Sequence, residues 1–370
     1  MDRRQLLITI ATAGCARKAR PGFAGFAFVA NEEGKAVAAV DMTAFAVVRH
    51  IPLGAAPGQL ISYPSRQAVY ALTPANGTIH EISVRKLERH RWTGVCRNAA
   101  AMLAGPAGSI WVMARDPHQL VEVNLDSLSA GRRIGLPYPA SDFDVTLAAT
   151  PRAVVSFGES AKVAIVDLTT GRMQLSDCGA PVHLVRFRKD GRQWAAAHRE
   201  RRMLTIADAS SGKVVVRLPL AMQPEHICLK ADGGQMFVTG AGSDAVAVVF
   251  PYSTEVAETV LAGRQPGAMA CSPLAGTAAE FLFVTNPSSN QVTILNVNSR
   301  KVVAVAQVGA NPSQVLITPD NAYALVLNRG SGDMAVLMIQ DAARRRKYPA
   351  ALFTMIPVGS RPVDAVVQAV

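Results

Sequence analysis

The chain has 370 residues and a formal net charge of +11; 49% of its residues are hydrophobic and 18% charged. That balance belongs to a globular core rather than a disordered or collagen-like chain, and no apolar run approaches the roughly 18 residues a membrane span needs. The basic residues gather in short groups such as His198-Arg199-Glu200-Arg201-Arg202 and Arg344-Arg345-Arg346-Lys347 rather than in one stripe, which reads as solvated hairpin tips and argues against a nucleic-acid surface.

The first residues read as a targeting segment. Arg3-Arg4 is a basic n-region, Leu6 to Gly14 a short apolar h-region, and Thr12-Ala13-Gly14-Cys15 a small-residue cleavage site ending in cysteine. Asp2-Arg3-Arg4-Gln5-Leu6-Leu7 resembles a twin-arginine export signal, and the Cys15 segment resembles a bacterial lipobox. The expectation is an export signal over 1–15, a linker over 16–25 and a single domain over 26–370. An acylated Cys15 would then provide the only membrane attachment, placing the protein in the periplasm or on a bacterial cell-envelope membrane. Cys96, Cys178, Cys228 and Cys271 lie in different repeats without a C-x-x-C or a c-type haem site, and free thiols are expected.

From residue 28 onward an apolar tetrad recurs: Phe28-Val29-Ala30-Asn31, Tyr70-Ala71-Leu72-Thr73, Trp111-Val112-Met113-Ala114, Val154-Val155-Ser156-Phe157. It continues as Ala195-Ala196-Ala197-His198, Phe237-Val238-Thr239-Gly240, Phe283-Val284-Thr285-Asn286 and Leu325-Val326-Leu327-Asn328. The spacing stays between 41 and 46 residues. Such a period, holding several short strands, indicates propeller blades. The seventh unit is the template. Strands are expected over Phe281 to Thr285, Gln291 to Asn296, Val302 to Val308 and Gln314 to Thr318, with turns at Pro287-Ser288-Ser289-Asn290, Val297-Asn298-Ser299-Arg300 and Pro319-Asp320-Asn321. The last segment, Pro362-Val363-Asp364-Ala365-Val366-Val367, matches the proline-led fourth strand and can complete the blade begun at the N-terminus. The expected fold is an all-β, eight-bladed propeller of four-stranded antiparallel blades, with seven blades as the alternative.

The Tyr-Val-Thr-Asn-like strand resembles that of the YVTN-type β-propeller repeat proteins over nearly the whole chain after the leader. Ala114, Phe157 and His198 stand where that repeat has Asn. More distantly the architecture resembles the haem d1 propeller of cytochrome cd1 nitrite reductases, which implies channel histidines as tetrapyrrole ligands.

The proline before each innermost strand supplies a register. Two residues after it stand Gln59, His183, His226, Ala268, Gln314 and Asp364, with Ser141 or Asp142 in the third unit and Asn98 or Ala99 in the second. In this register His183 and His226 fall on adjacent blades, with Glu225 beside the second, and the polar residues form a ring facing the central funnel. Two imidazoles and carboxylates on one cavity could bind a divalent metal or ligate a porphyrin iron; polar residues also simply hydrate a water-filled channel. Asn328-Arg329-Gly330-Ser331-Gly332-Asp333 looks like a phosphate loop but aligns with a hairpin turn. Asp41, Asp167 and Asp208 all end second strands and read as turn starters. His50, His80, His90 and His118 read as mostly surface residues.

The expected role is that of an exported, monomeric binding or scaffold protein of the cell envelope, without catalysis or cofactor, taking a protein or small molecule at the funnel. A periplasmic tetrapyrrole- or metal-binding protein is the first alternative. A lactonase-like hydrolase, using Glu225, His226 and Arg264, is the second.

Overall fold

Each period alternates β-branched and small apolar residues with tight turns; the two middle strands of a blade are buried on both faces, while the outermost strand is largely exposed. In the computed structural model, which describes residues 22–148, 150–272, 280–339 and 352–370, these runs form eight separate four-stranded antiparallel sheets. The eight-bladed expectation holds. The leader, with Cys15, and the basic group 344–347 lie outside the described residues.

Blade and sequence repeat are offset by one strand. The proline-led strand Pro312–Ile317 does not join the strands before it. It pairs with Tyr323–Asn328 and becomes the innermost strand of the following blade. The offset leaves the first three strands, Gly25–Asn31, Ala36–Asp41 and Ala46–Pro52, without an inner partner. The last strand, Pro362–Ala369, supplies it by pairing antiparallel to Gly25–Asn31. Blade 1 is therefore built from both ends of the chain, and blades 2 to 8 follow with inner strands Gln59–Tyr63, Asn98–Ala104, Asp142–Thr146, Leu184–Phe187, Gln223–Leu229, Met269–Cys271 and Pro312–Ile317.

Apolar clusters occupy the gaps between blades. Phe28 and Ala30 of blade 1, for example, pack with Leu60, Val69 and Ile82 of blade 2. Burial of this kind is the main stabilising contribution, at roughly 25 cal/mol per Å² of apolar surface.

Outside this core, arginines on the blades' outer strands reach carbonyls in turns of adjoining blades. Arg49 donates to Lys86 O (3.3 Å), Arg91 to Asp126 O (3.0 Å), and Arg132 to Leu168 O (2.8 Å). Arg91 also pairs with Glu81 (2.5 Å), whereas a guanidinium that caps only neutral carbonyls needs no acidic partner. The tip residues Arg199 to Arg202 are exposed, as the sequence suggests.

The fourth positions of the tetrads tie the blade ends together. Asn31 Nδ2 donates to Val358 O (2.8 Å), beside the ring closure. Asn286 Nδ2 donates to Thr293 Oγ1 (2.9 Å) on the neighbouring strand. In blade 5 His198 replaces the Asn: its ring bonds Thr205 Oγ1 (2.8 Å) and Pro181 O (2.9 Å) with no exposure. Blade 2 reverses the pair, with Thr73 at the fourth position and His80 seven residues on, 3.2 Å apart. His80 is thus a core residue, correcting its surface reading, whereas His50, His90 and His118 are exposed. Asp41, Asp167 and Asp208 each accept turn hydrogen bonds that lower their carboxyl pKa values as turn starters should, chiefly from the Thr43 and Ser210 hydroxyls at Asp41 and Asp208 and from the Thr170 N–H at Asp167. The Asn328–Asp333 segment is a hairpin, closed by Asn328 Nδ2 on Asp333 Oδ1 (2.6 Å). Cys96, Cys178, Cys228 and Cys271 are in the reduced, unpaired form in this structure.

Candidate functional site

The inner strands alternate cleanly. Leu60, Phe143, Val185, Val315 and Ala365 are buried between blades, while the residues on either side of each are half-buried and line the channel. Pairing with the tetrads fixes the register. The upper ring consists of residues opposite each tetrad's third position: Asp364 opposite Ala30, Gln59 opposite Leu72, Asp142 opposite Ser156, His226 opposite Thr239 and Gln314 opposite Leu327. Asp142, not Ser141, thus takes the position in blade 4. In blade 3 strand irregularities bring Ala101, rather than Asn98 or Ala99, opposite Met113.

Blade 5 departs from the expected register. Leu184 stands opposite Ala197, and His183 falls one residue short of the ring. The His183 N–H donates to Ala197 O, and its carbonyl accepts from Ser141 Oγ (3.1 Å). Among the described residues no group of three His, Cys, Asp or Glu side chains is placed to hold a metal ion. His183 and His226 do not occupy equivalent register positions, His226 lying on the ring and His183 one residue short of it.

Most of the polar ring joins blade to blade. An inner strand is the edge of its own sheet, so its outward N–H groups need acceptors from elsewhere. Asp364 Oδ2 accepts from Leu60 N (2.7 Å), Gln59 Oε1 from Met102 N (2.7 Å), and Asp142 Oδ2 from Val185 N (2.9 Å). Gln314 donates to the other Asp364 oxygen at 2.6 Å. Burial pushes the Asp364 carboxyl up to about 6 despite these bonds.

One ring deeper, Asp144 Oδ2 accepts from Phe187 N (2.7 Å), and Arg186 forms an ion pair with Asp142 (2.6 Å). Burial raises the Asp144 pKa, with the Arg186 charge opposing it. The sequence reading missed both Asp144 and Arg186. They lie two residues beyond upper-ring positions, so carrying the register one strand period further would have found them. The rest of this ring is largely apolar, including Ile61, Leu103, Leu316 and Val366.

His226 differs from its neighbours. It is exposed to the channel, and among the described residues its ring makes no hydrogen bond. Its pKa is lowered by burial of the site and by Arg186, with Glu225 opposing, so the ring is neutral at pH 7 and keeps a nitrogen lone pair. Glu225 is committed to Arg199 at 2.5 Å. Arg264 is exposed, and its carbonyl accepts from Ser288. A cavity of ≈ 590 Å³ lies at the ring seam instead, lined by Glu33, Arg329, Ser331 and Arg361. Its arginines are already paired with Glu32 and Glu33; the open imidazole exposed to the channel is His226, while His183 Nδ1 is buried without a hydrogen-bond partner.

Comparison with known proteins agrees with this architecture. No protein-family model matches the chain. The "Seven-bladed beta-propeller protein Rv1057" of Mycobacterium tuberculosis is 28% identical over 153 residues, covering 40% of this chain and 38% of the relative. The match thus spans well under two thirds of that protein. The solved dihydro-heme d1 dehydrogenase NirN, in complex with DHE, superposes on 94% of this chain and 76% of its own with a TM-score of 0.76 at 14% identity. Apo AztD from Citrobacter koseri superposes on 93% of this chain and 98% of its own, with a TM-score of 0.68 at 13% identity. At such identities the likeness is one of fold, and by fold this chain is an eight-bladed β-propeller.

Proposed function

We propose that the protein is an exported binding propeller of the bacterial cell envelope that takes its ligand in the central channel on His226. The reading rests on one observation: the other polar ring side chains serve blade contacts, while His226 offers a neutral imidazole to the channel without a protein partner. Arg186 and Glu225 flank it with opposite charges, and the apolar ring below offers a surface to a planar or hydrophobic body. Such a site combines a few placed polar groups with an apolar wall, as ligand sites generally do.

A haem-type tetrapyrrole is the specific ligand this arrangement favours, since a neutral imidazole nitrogen is a ligand that its iron would accept. The fold shared with NirN, solved with DHE, supports the same choice. His226 is the residue that would hold it. A divalent metal held by protein groups alone has less support, because among the described residues no three His, Cys, Asp or Glu side chains are grouped to hold one. A lactonase-like hydrolase also has less support, because Glu225 is tied to Arg199.

The test is a titration of the purified protein with haem, followed by its visible absorption band. The wild type is expected to shift the band at one equivalent. His226→Ala should weaken binding at least about tenfold, a loss of about 1.4 kcal/mol, with an unchanged melting temperature. A wild type that leaves the band unaltered, or an alanine variant that binds equally well, would remove the tetrapyrrole reading.

A further inference from the structure

Cys228 and Cys271 occupy neighbouring inner strands. Cys228 stands opposite Phe237 in blade 6, and Cys271 opposite Leu282 in blade 7. Their relative register matches that of Asp144 and Phe187 in blades 4 and 5, where the first side chain accepts the second residue's N–H at 2.7 Å. The same register places the Cys271 backbone beside the Cys228 side chain.

The side chains also converge. Residues in the Cys271 type of position face the preceding blade, as Leu60 does toward Phe28 of blade 1 and Val185 toward Val154 of blade 4. Residues in the Cys228 type of position lean toward the following blade, as the inter-blade bonds of Asp144 and Asp142 show. Cys228 and Cys271 accordingly pack on one apolar cluster with Phe237, Val248 and Leu282, between blades 6 and 7. Cys96 and Cys178 belong to other clusters and have no such counterpart.

We propose that Cys228 and Cys271 form a disulfide joining blade 6 to blade 7 when the chain folds in an oxidising medium. A low-molecular-weight disulfide is the oxidant. One cysteine thiolate attacks it and expels one small thiolate, giving a mixed disulfide. The second cysteine thiolate then attacks the protein sulfur of that bond and expels the other small thiolate. The two protein thiol protons pass to the two small thiols, so two electrons leave the protein and the small disulfide is reduced. Burial pushes the Cys228 thiol up to about 12 and raises Cys271 as well. Exchange therefore belongs to the folding stage, before the blades close over both sulfurs.

The experiment refolds the full chain in a glutathione redox buffer, alkylates the remaining thiols after unfolding, and maps non-reduced peptides by mass spectrometry. A linked Cys228–Cys271 peptide is expected, lighter by two hydrogens than its separate parts, with Cys96 and Cys178 alkylated. Cys228→Ser should return Cys271 to the alkylated pool, and Cys271→Ser should do the same for Cys228. Wild-type protein with native circular dichroism that alkylates at both positions would overturn the proposal, as would linkage of either residue to Cys96 or Cys178. The wild-type map decides the matter even if a serine variant fails to fold.

Discussion

Among single residues, the buried histidines carry the clearest consequences. His198 and His80 each bond a threonine across one pair of strands, in opposite order, where blade 7 uses Asn286 and Thr293. His198→Asn should therefore keep the melting temperature within a few degrees, because Asn31 and Asn286 make the equivalent bonds in other blades. His198→Leu leaves Pro181 O and Thr205 Oγ1 unpaired and should cost about 1–3 kcal/mol in a denaturant titration. The repeat itself revealed that position 198 substitutes for Asn. That a histidine could fill the role was not legible, because it depends on Thr205 lying opposite, which only strand register shows.

The same residues set the response to acid. Burial lowers the His80 pKa to about 4, against 6.5 when unfolded. Its stabilising contribution is complete above pH 6.5 and is lost as pH falls toward 4, up to about 3 kcal/mol. Asp364 acts in the opposite sense. Its folded value of about 6 exceeds the unfolded 3.8, so the carboxylate costs stability above pH 6 and that cost vanishes on acidification. Melting temperatures between pH 7 and 4 should fall less steeply in His80→Asn than in wild type. They should fall more steeply in Asp364→Asn. Parallel curves for all three proteins would contradict these assignments.

At the level of elements, the inner strands explain both what could be read and what could not. Proline-led segments identified the channel-facing strands, and the two-residue offset placed Gln59, His226, Gln314 and Asp364 correctly on the upper ring. The rule failed at His183, where the chain between Pro181 and Leu184 carries one extra residue into the turn. A one-residue slip moves a side chain to another face, so sequence alone could not protect this assignment. Nor did polarity distinguish a ligand group from a blade connector. Asp142 looked like a site residue, yet it accepts the Val185 N–H and pairs with Arg186. Asp142→Ala should leave that amide without its acceptor and the Arg186 guanidinium without its counter-charge, and lower stability by about 2 kcal/mol, with chemical denaturation as the readout. A variant as stable as wild type would mean that water replaces the carboxylate.

For the whole molecule, closure is decisive. Blade 1 joins Pro362–Ala369 to Gly25–Asn31, and nearby Asn31 and the Arg361–Glu32 pair hold the seam. Truncation before Pro362 would expose the edge of Gly25–Asn31 and its apolar neighbours Ala27 and Val29. Loss of cooperative melting and concentration-dependent aggregation are expected, measurable by light scattering; a truncated chain that melts cooperatively as a monomer would refute the role of the clasp. The ring in turn fixes the channel. Because rigid closure commits carboxylates and amides to neighbouring blades, the side chain left open marks where a ligand can be held.

The most direct measurement is the ratio of ligand affinities in two single variants, His226→Ala and His183→Ala, using haem as the probe under identical conditions. His226→Ala should bind at least about tenfold more weakly than His183→Ala, which should match the wild type. Equal losses in both variants, or a loss confined to His183→Ala, would contradict the assignment of His226 as the open position of the channel.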